Sequence, residues 1–122
     1  MSAKILVVDD NELNLKLIVA VLTYHGYETL EAMDGAEGVK AAVEHIPDLI
    51  LMDIQMPVMD GLTAAKILRN GPRTKGIRMI ALTSFAMKGD RERFMEVGFV
   101  DYIAKPINTR ELPEIVKKYA GS

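Results

Sequence analysis

The segment "LILMDIQMPVMDG", Leu49 to Gly61, ends an apolar run on a lone carboxylate, Asp53, and follows it with Met56-Pro57 and Asp60-Gly61. Those pairs are turn signals that no central strand tolerates. An unpartnered carboxylate inside a buried strand costs several kcal/mol, so Asp53 belongs where the strand emerges. Other apolar runs end in the same way. "KILVV" gives way to Asp9 and Asp10, "RMIAL" to Thr83 and Ser84, and "FVDYIA" to Lys105 and Pro106. Neighbouring strands lie about 4.8 Å apart, so central strand ends would bring these groups within a few ångströms of each other. Two like charges at 4 Å repel by about 4 kcal/mol at an effective dielectric of 20, so three carboxylates in one pocket need protons or cations. A divalent metal and Lys105 would supply the cations. All-oxygen ligands without His or Cys favour a hard ion, and a small ligand set completed by water favours Mg²⁺ over Ca²⁺. A carboxylate beside Mg²⁺ and an ammonium can attack phosphorus, which makes Asp53 the expected acceptor of a phosphoryl group.

The elements that must position these residues follow from periodicity. Five short runs rich in apolar and β-branched residues, "KILVV", "YETLEA", "DLILM", "RMIALT" and "FVDYIA", read as strands, with helical spacing between them. The first helix is expected to start at Asp10 or Asn11, to bury Leu15, Ile18, Val19 and Leu22, and to stop at Gly26. The second is capped by Asp34, buries Ala36, Val39, Val43 and Ile46, and is ended by Pro47. Leu62, Ala65 and Leu68 mark the third, which ends near Gly71. The fourth runs from about Gly89 to Val97, with Phe94 and Val97 inward and Gly98 as its stop. The fifth has Asn108 three residues before Glu111, then Leu112, Ile115, Val116 and Tyr119. Pro113 falls deep for a start at Asn108, so that helix is expected to begin irregularly or later. Strands alternating with helices are parallel and covered on both faces. The predicted architecture is α/β, a three-layer sandwich with ligands at the carboxyl ends of the strands.

Composition narrows the function classes. With 122 residues the chain has the length of one domain, and 49% apolar with 26% charged residues is ordinary for a globular protein. A formal charge of -2 gives no general attraction to nucleic acid or anionic lipid. Without cysteine there is no disulfide, thiolate catalysis or Cys-ligated metal. "MSAKILVVDD" is too short in its apolar run for a signal peptide, and nothing later is long enough to span a bilayer, so a cytoplasmic location is expected.

Taken singly, each site residue also has a structural reading. Asp9 and Asp10 could cap the first helix, Asp53 could serve a turn, Thr83 could satisfy local backbone, and Lys105 could be a solvated lysine. Five such residues at the ends of four strands favour a shared site.

The segments "ILVVDDNELN", "DLILMDIQMPVMDG", "MIALTSFAMKGDRERF" and "DYIAKPI" resemble the receiver domain of two-component response regulators across essentially the whole chain. Among subtypes, "DDNELN" and "FAMKGD" are most similar to receivers of hybrid kinases and to DivK-like solitary cell-cycle regulators. The resemblance implies a flavodoxin-like sheet in strand order 2-1-3-4-5 and a single receiver domain over residues 1–122. It implies Asp53 as phosphoacceptor, with Asp9, Asp10, Asp53 and the main-chain carbonyl of Gln55 around Mg²⁺. Thr83 would bind one phosphoryl oxygen and Lys105 another. A cis peptide is implied at Lys105-Pro106, with an ordinary trans turn as the alternative. Tyr102 matches an aromatic switch that moves inward with Thr83, although a half-buried tyrosine on a last strand is also common packing. Gln55 and Phe85 fall where the family tunes hydrolysis of the acyl phosphate, and a bulky Phe85 would shield it from water.

The start at Met1 and the short tail after the fifth helix lead to the expectation of a free-standing protein whose output is protein binding. By resemblance the output face comprises the fourth helix, fifth strand and fifth helix, with Phe85, Met87, Lys88, Tyr102 and Ile107. Implied partners are a sensor histidine kinase or phosphotransfer protein and a downstream protein target, with no nucleic acid, no membrane, and a monomer or weak dimer. An Mg²⁺-dependent phosphatase with an Asp nucleophile is the competing enzyme reading, but such enzymes place an acid two residues on, where this chain has Gln55. A flavodoxin-like cofactor carrier would need a phosphate-cradling first loop, whereas "DDNELN" is acidic.

Overall fold

The computed structural model describes residues 3–84 and 89–120. Its elements follow in the order β1 (Lys4–Val8), α1 (Glu12–Tyr24), β2 (Glu28–Ala32), α2 (Gly35–His45), β3 (Leu49–Asp53), α3 (Gly61–Asn70), β4 (Arg78–Thr83), α4 (Asp90–Val97), β5 (Phe99–Ala104) and α5 (Glu111–Ala120). The strands form one parallel sheet in the order β2-β1-β3-β4-β5. The expected three-layer α/β sandwich is therefore observed. Phe85, Met87 and Lys88 lie outside the described residues.

Alternation along the strands builds two cores. Leu6, Val8, Ile50, Met52, Met79 and Ala81 face α2, α3 and α4, while Ile5, Val7, Leu49, Leu51, Ile80 and Leu82 face α1 and α5. Each fully buried aliphatic side chain contributes roughly 1.5–3 kcal/mol, so the central strands anchor the sheet from both sides. Register then sets the level of each strand end. Val8 pairs with Met52, Asp53 with Leu82, and Thr83 with Ala104. Asp9 and Asp53 thus emerge side by side, Thr83 one residue further out, and Lys105 one further again.

The starts of α1, α2, α3 and α5 are fixed by side-chain caps. Asn11, Asp34 and Asp60 accept hydrogen bonds from the backbone N–H groups of Asn14, Glu37 and Thr63, at 3.0, 2.8 and 2.8 Å. Asn108 Oδ1 accepts from the N–H groups of Arg110 and Glu111, and α5 begins only at Glu111. Pro113 therefore sits in the first turn, where its missing N–H costs nothing.

The face of α2 differs from expectation. Gly35, Gly38 and Ala42 are its buried residues, with Val39 half-buried, whereas Ala36 is exposed, Val43 is 42% exposed and Ile46 36%. The cause is close approach to the sheet and to the loop after β3. A Cβ on Gly38 would stand 2.9 Å from Val8 Cγ2, and one on Gly35 would overlap the carbonyl of Met59, which accepts the Gly35 N–H at 3.2 Å. Larger residues cannot occupy that face, so the aliphatic stripe turns toward solvent.

Candidate functional site

The site lies where β1 and β3 part company in chain order, at the switch point of the sheet. Asp53 closes β3 and is 4% exposed. Its Oδ1 accepts the Gln55 N–H at 3.0 Å and its Oδ2 accepts from Lys105 Nζ at 3.0 Å. Asp9 is fully buried beyond β1, and its Oδ1 accepts the Asn11 N–H at 2.9 Å. Its Oδ2 accepts no well-directed hydrogen bond and meets the Lys105 ammonium 3.1 Å away as an ion pair. Asp10 is exposed at the rim. Oxygen atoms of Asp9, Asp10 and Asp53 all come within 4.8 Å of one another.

Lys105 reaches back from the end of β5 to span both buried carboxylates. The bond between Lys105 and Pro106 is cis, the alternative that the family resemblance implied, and the Lys105 N–H donates to the Thr83 carbonyl at 2.8 Å. Thr83 itself is buried at the tip of β4, and Ser84 beyond it is exposed. Tyr102 on β5 packs against the core under α2, α3 and α4, its ring edge-on to Phe94 of α4 at 6.2 Å. Ile107, by contrast, packs half-buried against the opposite core, under α1 and α5.

The electrostatics follow from burial against pairing. Loss of water drives the Asp53 carboxyl up to about 6, and the charge of Asp9 adds to this, while Lys105 and the Gln55 N–H pull the other way. Burial works to lower the Lys105 ammonium, but the carboxylates of Asp53 and Asp9 outweigh it and hold the group above its ordinary 10.5. One ammonium thus serves two buried carboxylates. A divalent cation fits what remains: three convergent carboxylates, hard oxygen donors, and a buried Asp9 oxygen without a hydrogen bond.

A response regulator receiver domain model matches residues 5–117. The chain belongs to the response regulator receiver family. It is 45% identical over 121 residues to the polar-differentiation response regulator DivK of Brucella ovis, an alignment spanning 99% of this chain and 98% of that one. Among solved structures it is similar to the receiver domain of a sensor histidine kinase from Pseudomonas aeruginosa, determined with a magnesium ion coordinated in its active-site cleft. That likeness has a TM-score of 0.90 at 38% identity and covers both chains completely. The Vibrio cholerae chemotaxis protein CheY4 gives a TM-score of 0.92 at 28% identity, over 98% of this chain and 99% of that one. This receiver is accordingly a component of two-component signalling, a switch with an acidic cluster able to hold Mg²⁺. Receivers of the family work with histidine kinases or phosphotransfer proteins and with downstream targets.

One site residue was legible only as a turn. Gly61, read from the Asp60-Gly61 pair, opens α3 instead, and its N–H donates to the Ile54 carbonyl at 3.0 Å. A Cβ there would overlap the main-chain carbonyl of Asp53, so this glycine lets α3 start directly against the backbone of the central acid. The signal was the Asp-Gly pair at a fixed distance from Asp53.

Proposed function

We propose that residues 1–122 act as one phosphoacceptor receiver in which Asp53 takes the phosphoryl group. The supporting observation is that Asp53, at the tip of the central strand, accepts a hydrogen bond at each oxygen, from the Gln55 N–H and from Lys105, whereas Asp9 Oδ2 meets Lys105 only as an ion pair and Asp10 is exposed. A carboxylate so fixed is oriented for attack and mostly ionised at neutral pH. Its oxygen forms the new bond to phosphorus while the bond from phosphorus to the donor's nitrogen or oxygen breaks, and the electron pair leaves with the donor. Asp9, Asp10, Asp53 and the Gln55 carbonyl would hold Mg²⁺, which would supply charge neutralisation at the phosphoryl oxygens. Lys105 pairs with a further phosphoryl oxygen, and the Thr83 hydroxyl with another.

Phosphorylation adds about two negative charges. It shifts a two-state equilibrium only by its differential interaction with the two states, and Thr83 and Tyr102 are the residues assigned to report it. The face formed by α4, β5 and α5, with Tyr102 and Ile107, and with Phe85, Met87 and Lys88 by sequence, carries the output to a protein target. The phosphoryl donor is a sensor histidine kinase or phosphotransfer protein, the setting cytoplasmic, and the chain a monomer or weak dimer that turns over only its own phosphoryl group. Incubation with acetyl phosphate and Mg²⁺ tests the assignment. Intact mass should show one added phosphoryl group on the parent and none on Asp53→Asn; a labelled Asn variant overturns it.

A further inference from the structure

The positive charge of this chain is not spread evenly. From Gly61 to Ser84 stand five cations, Lys66, Arg69, Arg73, Lys75 and Arg78, and no acid, a net of +5. The whole chain has 15 Lys and Arg against 17 Asp and Glu, so the remainder holds 10 against 17, a net of -7. Acids at their overall frequency would place about three in a stretch of 24 residues. The two signs are segregated along the sequence, and the fold carries the positive stretch to the edge by the amino end of β4, opposite the strand end that holds Asp53. Lys66 and Arg69 lie in the last turns of α3, Arg73 and Lys75 in the loop to β4, and Arg78 opens β4.

All five side chains are exposed, and among the described residues none joins a salt bridge. Two are held in place. Arg69 donates to the Glu96 carbonyl in the last turn of α4, and Arg78 Nη1 donates to the Tyr119 carbonyl in the last turn of α5 at 2.9 Å. A guanidinium has five N–H donors, so each keeps most of its fork for another acceptor. Cations near helix C-termini are stabilising in themselves, which accounts for Arg69 and Arg78. It does not account for Arg73 and Lys75. Between them Thr74 turns inward, buried, its hydroxyl donating to the Leu68 carbonyl at 2.6 Å. The tether of this loop thus faces in while its two cations face out.

We propose that this edge is a docking surface for an acidic polypeptide segment of a partner protein. Fixed guanidinium forks match carboxylates in bidentate geometry, and the flanking Arg73 and Lys75 add attraction to acids that reach their immediate neighbourhood. A duplex or an anionic bilayer extends well past the edge and meets the net charge of -7 on the rest of the molecule. A short acidic segment stays within the edge, because charges separated by more than about 8 Å are screened at physiological salt. The surface is separate from the phosphorylation pocket and does not depend on its assignment.

The probe is a fluorescein-labelled Glu-rich peptide, titrated by anisotropy into the full chain at two salt concentrations. Arg73→Glu/Lys75→Glu should weaken binding on the order of tenfold or more, consistent with two lost charge contacts. Lys40→Glu on exposed α2 should leave it unchanged, and thermal melts should match for all three proteins. Equal affinity of parent and double variant overturns the proposal, as does an equal loss in Lys40→Glu. Phosphatidylserine vesicles and a DNA duplex run alongside; tighter binding of either, abolished by the same double variant, overturns the choice of an acidic polypeptide.

Discussion

The Lys105 ammonium donates to Asp53 Oδ2 at 3.0 Å across 52 residues of sequence, joining the end of β5 to the end of β3. The same nitrogen stands 3.1 Å from Asp9 Oδ2. Two buried carboxylates therefore share one cation, and the pocket's stability and chemistry turn on it.

Lys105→Met removes that cation while keeping much of the side chain's bulk. Deleting one partner of a buried pair is strongly destabilising, so a loss of roughly 2–4 kcal/mol is expected in EDTA at neutral pH, partly regained with Mg²⁺. Urea unfolding with and without the metal measures it. Unchanged stability in EDTA would mean that Asp9 and Asp53 do not need Lys105.

The pH dependence follows from the raised Asp53. The folded protein holds this proton up to about pH 6, the unfolded chain only to about 3.8. Between these values the folded state binds more protons, so the Asp53 contribution is fully present below 3.8 and is lost as pH rises through about 6. Without metal, Asp53→Asn should gain on the parent over that window, by on the order of 3 kcal/mol at neutral pH. Urea titrations at a series of pH values check this; a gap independent of pH contradicts it.

Asp10 offers the cleanest test of the acidic cluster because it is exposed and makes no ion pair with Lys105. Asp10→Asn should leave metal-free stability within about 0.5 kcal/mol of the parent. Losing one of three carboxylate ligands should weaken Mg²⁺ by about tenfold or more, read by calorimetric titration. Full Mg²⁺ affinity in the variant would exclude Asp10 from the ligand set.

Gly61→Ala probes the packing behind the site. Its methyl group would overlap the Asp53 carbonyl, so α3 or the strand end must shift, at a cost of about 1–3 kcal/mol and with slower phosphorylation. Gly38→Ala, which meets only the Val8 side chain, should cost less and leave phosphorylation intact. Urea midpoints and acetyl phosphate labelling rates separate the two.

Where sequence and structure agree, a strong local signal is the reason. The central strands read clearly because burial on both faces demands unbroken apolar runs, and the site residues read clearly because a charged or hydroxyl group ending such a run has few other places to go. The inward face of α2 was hidden because hydrophobicity marks a core stripe only when helix and sheet are far enough apart for side chains. Gly35 and Gly38 carry that face by being small, which no apolar pattern reveals. The role of Gly61 was hidden for the same reason. Lys105 was expected as a cation for the carboxylates, but its span across Asp9 and Asp53 depends on side-chain reach after the registers of β1, β3, β4 and β5 are set.

The central claim is that the phosphoryl group sits on Asp53. Borohydride reduction of the acetyl phosphate-treated protein converts an acyl-phosphorylated aspartate to homoserine, and tandem mass spectrometry locates it. Homoserine at position 53, dependent on Mg²⁺, is the predicted result; modification at Asp9, Asp10 or any other acid, with residue 53 intact, contradicts it.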